Sequence, residues 1–205
     1  MSRGVIKPVP IAEMPAQYLP AANMANRLVG ESTLIQVLVH SKPALGFYYG
    51  DFYKGIFYNE KNGMTVDVRL KQLLRLRLSK RMGCALCNRA NEEEIRSIGF
   101  GDRQISALFD FSPDRSLFTE SECALIDFAD QMLLENENGR LDAALYDRLR
   151  QHFSDEQIVE ISIVCGVIVG MTKMVFTLDI VPREATCTGP APVSASRAER
   201  SMAAA

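Results

Sequence analysis

The amino-acid sequence predicts an all-α protein with its longest helix at the centre. Apolar residues recur three and four positions apart in successive stretches, which is the spacing of one face of a helix. Two stretches begin with Ser or Thr followed three residues later by Gln or Glu, the capping-box pattern of a helix start. No stretch shows the sustained alternation of polar and apolar residues that a half-buried strand requires.

The composition indicates one soluble globular domain, with or without arms. The chain has 205 residues, 47% of them hydrophobic and 23% charged, which is enough to bury a core of its own. Its net charge of −2 gives no general attraction to nucleic acid or to a lipid membrane, so neither partner is expected. The chain has five cysteines, an odd number, which suggests a reducing compartment. Its first residues lack the apolar segment of a secretory signal, so we expect a cytoplasmic protein.

The first part of the chain is predicted to be an arm followed by two helices. Residues 1–30 are rich in proline and lack periodicity, which predicts an arm lying on a neighbouring molecule or on the domain surface. Residues 33–40 are predicted to form a short helix, and Ser41 to cap the next one, with Pro43 in its first turn. The aromatic cluster on that helix favours a place in the core or in a subunit interface over a ligand site. Its members are Phe47, Tyr48, Tyr49, Phe52, Tyr53, Phe57 and Tyr58.

Residues 67–99 are predicted to form two helices around which the rest of the chain is organised. Asp67 suits the N-cap of the first helix, in which leucines follow at helical spacing. Gly83 interrupts this helix. The second helix begins with the cysteines and runs to Gly99, a residue suited to a helix C-terminus.

Further helices follow. Asp102 is the predicted cap of a short helix, and the capping box at residues 119–122 opens a longer one. Another helix is expected over residues 141–149. The last one begins with the capping box at residues 154–157 and reaches residue 180.

The last predicted helix is apolar nearly all round. Its uncharged run ends at Lys173 and is shorter than the about 20 residues that a membrane span needs, so we expect a buried core helix. The amine of Lys173 is expected to reach solvent at the rim. Residues 185–205 are rich in Ala, Ser and Pro, which predicts a flexible tail.

The cysteines three residues apart, Cys84 and Cys87, suit a redox or nucleophilic pair. A thiol at the start of a helix meets the positive end of the backbone dipole, and Lys80, Arg81 and Arg89 add positive charge nearby. Both effects stabilise a thiolate and should lower the pKa of the cysteines below the usual value of about 8.5.

Two other interpretations of the cysteine pair compete with redox chemistry. Buried cysteines are often inert apolar side chains. A structural zinc site needs four ligands, usually in two spaced pairs, and the other candidate ligands are scattered: His40, Cys123, His152, Cys165 and Cys187. We therefore expect neither a metal nor a cofactor.

In these motifs the chain resembles the alkylhydroperoxidase D (AhpD) and carboxymuconolactone decarboxylase superfamily. The matching stretches occur in the right order, at residues 38–45, 67–87 and 153–161 and at the end of the last helix with Lys173 and Pro182. The similarity spans about residues 5–184. It implies an all-helical AhpD-like domain, over residues 31–184, that assembles as a homotrimer or homohexamer.

The resemblance also implies roles for individual residues. In the redox branch of the family, a glutamate lies twelve residues before a C-x-x-C-x-x-x-H motif; the second cysteine reacts with peroxide, and the first forms the disulfide and exchanges with an external thiol carrier. These cysteine positions match Cys84 and Cys87. The histidine and glutamate of the proton relay are replaced by Asn91 and Gln72.

The two replacements affect the expected chemistry. A histidine or a carboxylate can take and return a proton, whereas an amide only donates and accepts hydrogen bonds. Glu94 lies seven residues after Cys87, on nearly the same helix face, and could supply the missing acid. The acidic run at residues 92–94 nevertheless favours a solvated face.

Three functions remain open. The first is a thiol-disulfide oxidoreductase or peroxidase-like enzyme that reduces a hydroperoxide or a small disulfide. A dithiol reductant then reduces the enzyme's own cysteine pair again. The second is a lyase, decarboxylase or isomerase acting on a ring-derived organic acid or ketone. The third is a non-catalytic redox-sensing subunit.

Overall fold

The computed structural model describes residues 4–30, 32–61, 63–110 and 112–184. The helices are α1 Leu19–Val29, α2 Leu34–Leu38, α3 Lys42–Gly46, a π-helix Phe47–Phe57, α4 Val68–Met82, α5 Ala85–Ser97, α6 Asp102–Ala107, α7 Glu120–Gln131, α8 Ala143–Arg150 and α9 Asp155–Thr177. Across these ranges there is no strand, and an isolated antiparallel bridge joins Cys84 to Arg183. The all-α prediction is confirmed. The expected tail, residues 185–205, lies outside the described residues.

The most enclosed helix is α4, not the longest one, α9. All residues from 71 to 81 of α4 are buried, and the helix packs against α5, α7 and α9. Its basic residues can be buried because they are paired: the guanidinium of Arg77, for example, donates two hydrogen bonds to the carboxylate of Asp130, at 2.7 and 2.8 Å. The periodicity of the leucines predicted the helix, but it could not show that carboxylates on other elements would cover the charged face.

The predicted helix ends are mostly confirmed. The carboxylate of Asp67 accepts a hydrogen bond from the backbone N–H of Arg69 at 2.8 Å, and Gly83 ends α4 with a φ of 71°. The capping boxes before α7 and α9 are both present. Gly101, rather than Asp102, is the N-cap of α6, and its backbone N–H donates to the side chain of Gln104. Helix α9 ends at Thr177, three residues before the predicted end.

The N-terminal segment differs from the prediction in containing a helix. In α1, Ala22, Ala25 and Leu28 are buried, and the helix packs against α5 and α2. Alanines carry little apolar signal, and the prolines around them suggested irregular chain instead. The segment therefore lies on its own domain and covers the cysteine-bearing helix.

Helix α9 is long and apolar enough to cross a membrane by length and composition alone. Half of its most apolar stretch is buried in the protein. Lys173 is exposed, as predicted. The expectation of a buried core helix does not hold at Val159 and Ile163, which are 62% and 50% exposed.

A buried ion pair holds the π-helix and the residues that follow it. Lys71 is fully enclosed and pairs with the carboxylate of Glu160 on α9. The amine of Lys71 also donates to the backbone carbonyl of Ile56 at 2.7 Å, and Glu160 accepts from the backbone N–H of Thr65 at 2.9 Å. These contacts hold the π-helix and its aromatic side chains against α4 and α9.

Candidate active site

The cysteine pair lies where α4 ends and α5 begins. The left-handed turn at Gly83 places Cys84 at the N-cap of α5 and Cys87 in its first turn. The two residues form a disulfide, with their Cα atoms 5.2 Å apart. The backbone N–H of Cys87 points at the sulfur of Cys84, with nitrogen and sulfur 3.3 Å apart, so this sulfur faces the positive end of the helix.

The two sulfurs have different surroundings. Cys84 is fully buried in a cluster of apolar side chains from α1, α2, the end of α9 and the residues that follow α9, which includes Ala25, Leu28, Val37 and Val181. Cys87 is half-buried and lines a cavity. The pair is thus neither sealed away nor freely exposed, because one of its two members reaches an internal space.

The residues after α9 form a strap across the cysteines, which we define as residues 180–184. The carbonyl of Pro182 accepts from the backbone N–H of Ala85 at 3.2 Å, and the backbone N–H of Glu184 donates to the carbonyl of Gly83 at 2.9 Å. The carboxylate of Glu184 also accepts a hydrogen bond from the side-chain amide of Asn88 at 3.0 Å. The strap therefore covers Cys84, and its residue Val181 also lines the cavity described next.

The cavity next to Cys87 has a volume of about 430 Å³. Apolar and aromatic side chains from α1, α5, α9 and the π-helix form most of its wall, and exposed side chains of Met24, Lys54 and Tyr58 lie at its rim. The principal lining residues are Leu34, Tyr48, Tyr49, Tyr53, Leu86, Ala90, Ile168, Met171 and Val175. A space of this size and polarity suits a small, largely apolar molecule.

The aromatic cluster contributes to the core and to the cavity. Phe52 and Phe57 are buried in the main core, as predicted. Four tyrosines of the cluster also line the cavity: Tyr48, Tyr49, Tyr53 and Tyr58. Tyr48 and Tyr53 pack against the main core as well, so the predicted core role holds for them in part. The wider turn of the π-helix changes which side chains share a face, and a periodicity of 3.6 residues could not have placed them.

A polar corner of the cavity is built around Glu94. Its carboxylate forms an ion pair with Arg75 and accepts hydrogen bonds from the side-chain amide of Gln72 and from the hydroxyl of Tyr58, the latter at 2.6 Å. The expectation of a solvated face is therefore wrong for this residue. Its neighbour Glu93 does lie on the exposed face, where it pairs with Arg27.

Of the five residues predicted for the site, Cys87, Asn91 and Glu94 line the same cavity. Asn91 is buried and its amide donates to the hydroxyl of Ser79 at 3.2 Å. Gln72 does not line the cavity but contacts it through Glu94, and Cys84 contacts it through the disulfide. Sequence analysis missed Arg75, whose signal was its place one helical turn after Gln72.

The basic residues around the cysteines supply less positive potential than expected. Lys80 pairs with Glu92, Arg81 with Glu135 and Arg89 with Glu184. These carboxylates offset the three positive charges. The N-terminus of α5 remains as the feature that favours a thiolate at this position.

Burial determines the ionisation of other groups near the site. It raises the pKa of Tyr48 and of Tyr49, so that both phenols are protonated at neutral pH. Burial also raises the pKa of the Cys165 thiol to about 12, so this thiol is not ionised at neutral pH. Among the residues that the structure describes, no group of three or more His, Cys, Asp or Glu is placed to hold a metal ion.

Comparison with known proteins gives distant relatives. No family model matches the chain. The uncharacterized protein YdfG of Bacillus subtilis is 24% identical over 100 residues, which is 49% of this chain and 67% of YdfG. A solved protein of unknown function from Agrobacterium tumefaciens, suggested to be the antioxidant defence protein AhpD, is 25% identical with a TM-score of 0.54, over 69% of this chain and 96% of that one.

Two solved structures of the debrominase Bmp8 share the fold over most of the chain. The free enzyme is 20% identical with a TM-score of 0.63, over 88% of this chain and 92% of Bmp8. A cysteine-to-alanine variant in complex with 2,3,4-tribromopyrrole is 19% identical with a TM-score of 0.62, over 95% of this chain and 96% of that one. The fold of this protein is therefore AhpD-like, with a long C-terminal helix.

Proposed function

We propose that this protein is a thiol-disulfide oxidoreductase that uses Cys87 and Cys84 to reduce a small, largely apolar molecule, with a hydroperoxide or a small disulfide as the first candidates. The observation that carries the proposal is the position of Cys87: its side chain is joined to Cys84 and lines an apolar cavity that also holds a carboxylate. An inert packing role would require neither the cavity nor the polar corner.

The reaction with a hydroperoxide starts from the reduced pair. The thiolate of Cys87 attacks the terminal oxygen, the O–O bond breaks, and the alkoxide takes a proton and leaves as an alcohol. The thiolate of Cys84 then attacks the sulfenic acid formed on Cys87, the S–O bond breaks, and the disulfide forms with release of water. A dithiol must return two electrons before the next turnover.

Glu94 is the group in the cavity that we assign to proton transfer. Its carboxylate accepts the proton of the Cys87 thiol, and Gln72, Arg75 and Tyr58 hold it in place through their hydrogen bonds and ion pair. Gln72 and Asn91 carry amides, so we assign them positioning roles only. In this proposal Glu94 replaces the proton relay expected at positions 72 and 91.

The experiment that tests the proposal replaces one cysteine at a time and follows oxidation of a dithiol in the presence of each probe. The probes are cumene hydroperoxide, a small alkyl disulfide and 2,3,4-tribromopyrrole, the last because the fold accommodates it in Bmp8. Cys87→Ser should reduce turnover to background, whereas Cys123→Ser, at a buried free cysteine, should not change it. Unchanged turnover in Cys87→Ser would remove the proposal.

The tyrosine wall favours a second candidate, a lyase, decarboxylase or isomerase acting on a ring-derived acid or ketone. Aromatic side chains suit a flat ring, and a reaction without peroxide would not need the relay residues. Activity of the double variant Cys84→Ser, Cys87→Ser would support this candidate. If no probe is turned over but oxidation changes the oligomer size, a redox-sensing subunit is supported instead.

We also propose that the protein assembles as a homotrimer or homohexamer and acts in the cytoplasm, with a small-molecule substrate and without nucleic acid. The exposed apolar side chains of Val159 and Ile163 on α9 support contact with another copy. Light scattering after gel filtration measures the assembly. Val159→Glu should reduce the measured mass if this face is an interface.

A further inference from the structure

The two sulfurs of the disulfide differ in which molecules can reach them. Cys84 has no exposed surface, because α1 packs against it and its backbone bridges to Arg183 in the strap. Cys87 is half-buried and lines the cavity, whereas Cys84 does not. Any reductant approaching the oxidised protein therefore meets the sulfur of Cys87 first.

Thiol-disulfide exchange requires the attacking thiolate to contact one of the two sulfurs, so access decides which bond it forms. Attack on Cys84 requires displacement of the strap, which is held by backbone hydrogen bonds at residues 83 and 85 and by the Glu184–Asn88 hydrogen bond. Attack on Cys87 requires only entry into the cavity. The geometry therefore favours exchange at Cys87 rather than at the first cysteine of the pair.

We propose that the electron donor is a small uncharged thiol or dithiol that enters the substrate cavity and attacks the sulfur of Cys87. This inference depends on the proposed function only in assuming that the disulfide must be reduced again. The donor thiolate forms a mixed disulfide with Cys87, the Cys84–Cys87 bond breaks, and Cys84 leaves as a thiolate. A second donor thiolate attacks the donor's sulfur in the mixed disulfide, which gives an oxidised donor and the thiolate of Cys87. The two donor thiols supply the two protons that the reduced pair takes up.

The cavity and the helix end determine the class of donor. A space of about 430 Å³ admits a small molecule but not the folded domain of a protein reductant. The wall is mostly apolar and the carboxylate of Glu94 is already paired with Arg75, so a charged thiol would lose hydration without compensation and an uncharged thiol is favoured. The departing Cys84 thiolate lies at the N-terminus of α5, 3.3 Å from the backbone nitrogen of Cys87, which stabilises it as a leaving group.

The position of the mixed disulfide tests the proposal directly. The oxidised full-length protein is treated with 2-mercaptoethanol and quenched with N-ethylmaleimide, which blocks the released thiol, before digestion with trypsin. The peptide of residues 82–89 is then sequenced by tandem mass spectrometry. We expect the adduct on Cys87. An adduct found mainly on Cys84 would overturn the proposal.

Rates of disulfide reduction give a second test that uses no substrate. Dithiothreitol should reduce the disulfide faster than thioredoxin does at equal thiol concentration. Ala90→Phe fills the cavity and should lower the rate of reduction by dithiothreitol by at least about fivefold. Glu184→Ala loosens the strap and should leave the rate unchanged. Faster reduction by thioredoxin, or acceleration by Glu184→Ala, would contradict the proposal.

The two proposals can fail separately. An adduct on Cys87 in a protein that turns over none of the probes would count against the proposed enzyme and not against this route of reduction. Turnover that depends on Cys87, together with an adduct on Cys84, would retain the enzyme and reject the route. Circular dichroism of Ala90→Phe establishes that the variant is folded, and adduct mapping on the unchanged sequence does not depend on it.

Discussion

The side-chain amide of Gln72 donates a hydrogen bond to the carboxylate of Glu94, which joins the middle of α4 to the cavity face of α5. Gln72 occupies the position where the resemblance to redox enzymes of this fold implies a glutamate. The carboxylate that the position lacks is present one contact away, and Arg75 and Tyr58 hold it there. In the proposed mechanism, the amide of Gln72 positions the acid Glu94.

Replacement of Glu94 tests this arrangement. Glu94→Gln removes the ion pair with Arg75 and the only proton acceptor that we assign, so kcat/KM should fall by about 100-fold with the protein still folded. Glu93→Gln is the matched control, because Glu93 is the adjacent residue on the exposed face and pairs with Arg27. Steady-state kinetics with the best probe of the set measures both. Equal rates for the two variants would remove Glu94 from the mechanism.

The buried pair of Lys71 and Glu160 should dominate the stability of the segment that carries the tyrosines. Lys71→Met leaves the carboxylate of Glu160 buried without its cation, which should lower the free energy of unfolding by about 3–5 kcal/mol. Lys61→Met is the control: Lys61 forms an exposed pair with Asp51 at 3.7 Å, and its loss should change stability by less than about 0.5 kcal/mol. Urea unfolding followed by circular dichroism compares the two. Similar midpoints would show that the buried pair contributes no more than the exposed one.

The cavity tyrosines predict a loss of stability at alkaline pH. Burial raises the pKa of Tyr48 and Tyr49, so the folded protein keeps these protons at pH values where the unfolded chain has released them. The free energy of unfolding should therefore be unaffected by ionisation of these tyrosines below about pH 10 and should fall as the pH rises further. The decrease is up to about 1.4 kcal/mol per pH unit for each tyrosine.

Urea midpoints measured between pH 8 and pH 11 follow this loss. The double variant Tyr48→Phe, Tyr49→Phe carries no phenol at either position and should show a shallower decline than the unchanged protein. Parallel declines in the two proteins would mean that other groups determine the alkaline instability.

The turn before the cysteines predicts opposite effects for two glycines. Gly83 has a φ of 71°, a left-handed conformation that costs a residue with a Cβ about 1–2 kcal/mol, so Gly83→Ala should be destabilising. Gly46 ends α3 with a φ of −61° and open space around its Cα, so Gly46→Ala should stabilise by about 0.5–1 kcal/mol. Thermal unfolding of both variants with the disulfide intact tests the difference. A stabilising Gly83→Ala would contradict the left-handed turn.

Local sequence signals predicted most of the fold. Asp67, Thr119 and Ser154 cap the helices that they were expected to cap, since a cap is a contact between residues two or three positions apart. The cysteine pair and the helix break at Gly83 were predicted for the same reason. These features depend on neighbours in the sequence, which the sequence shows directly.

The missed features depend on contacts between distant residues. Glu94 was expected to face solvent because Gln72 and Arg75, which cover it, belong to another helix. The place of four tyrosines in the cavity wall was not predicted, because the π-helix, which Lys71 contacts at Ile56, alters the face on which they lie. No period in the sequence records either effect.

The strap has a consequence for the order in which the protein is made. Residues 180–184 are synthesised about one hundred residues after the cysteines that they cover. On the ribosome, Cys84 therefore remains open to oxidants and to other thiols until the end of α9 has emerged. Oxidative stress during synthesis should therefore cause more mispairing at Cys84 in nascent chains than in completed chains, in which the strap covers this sulfur.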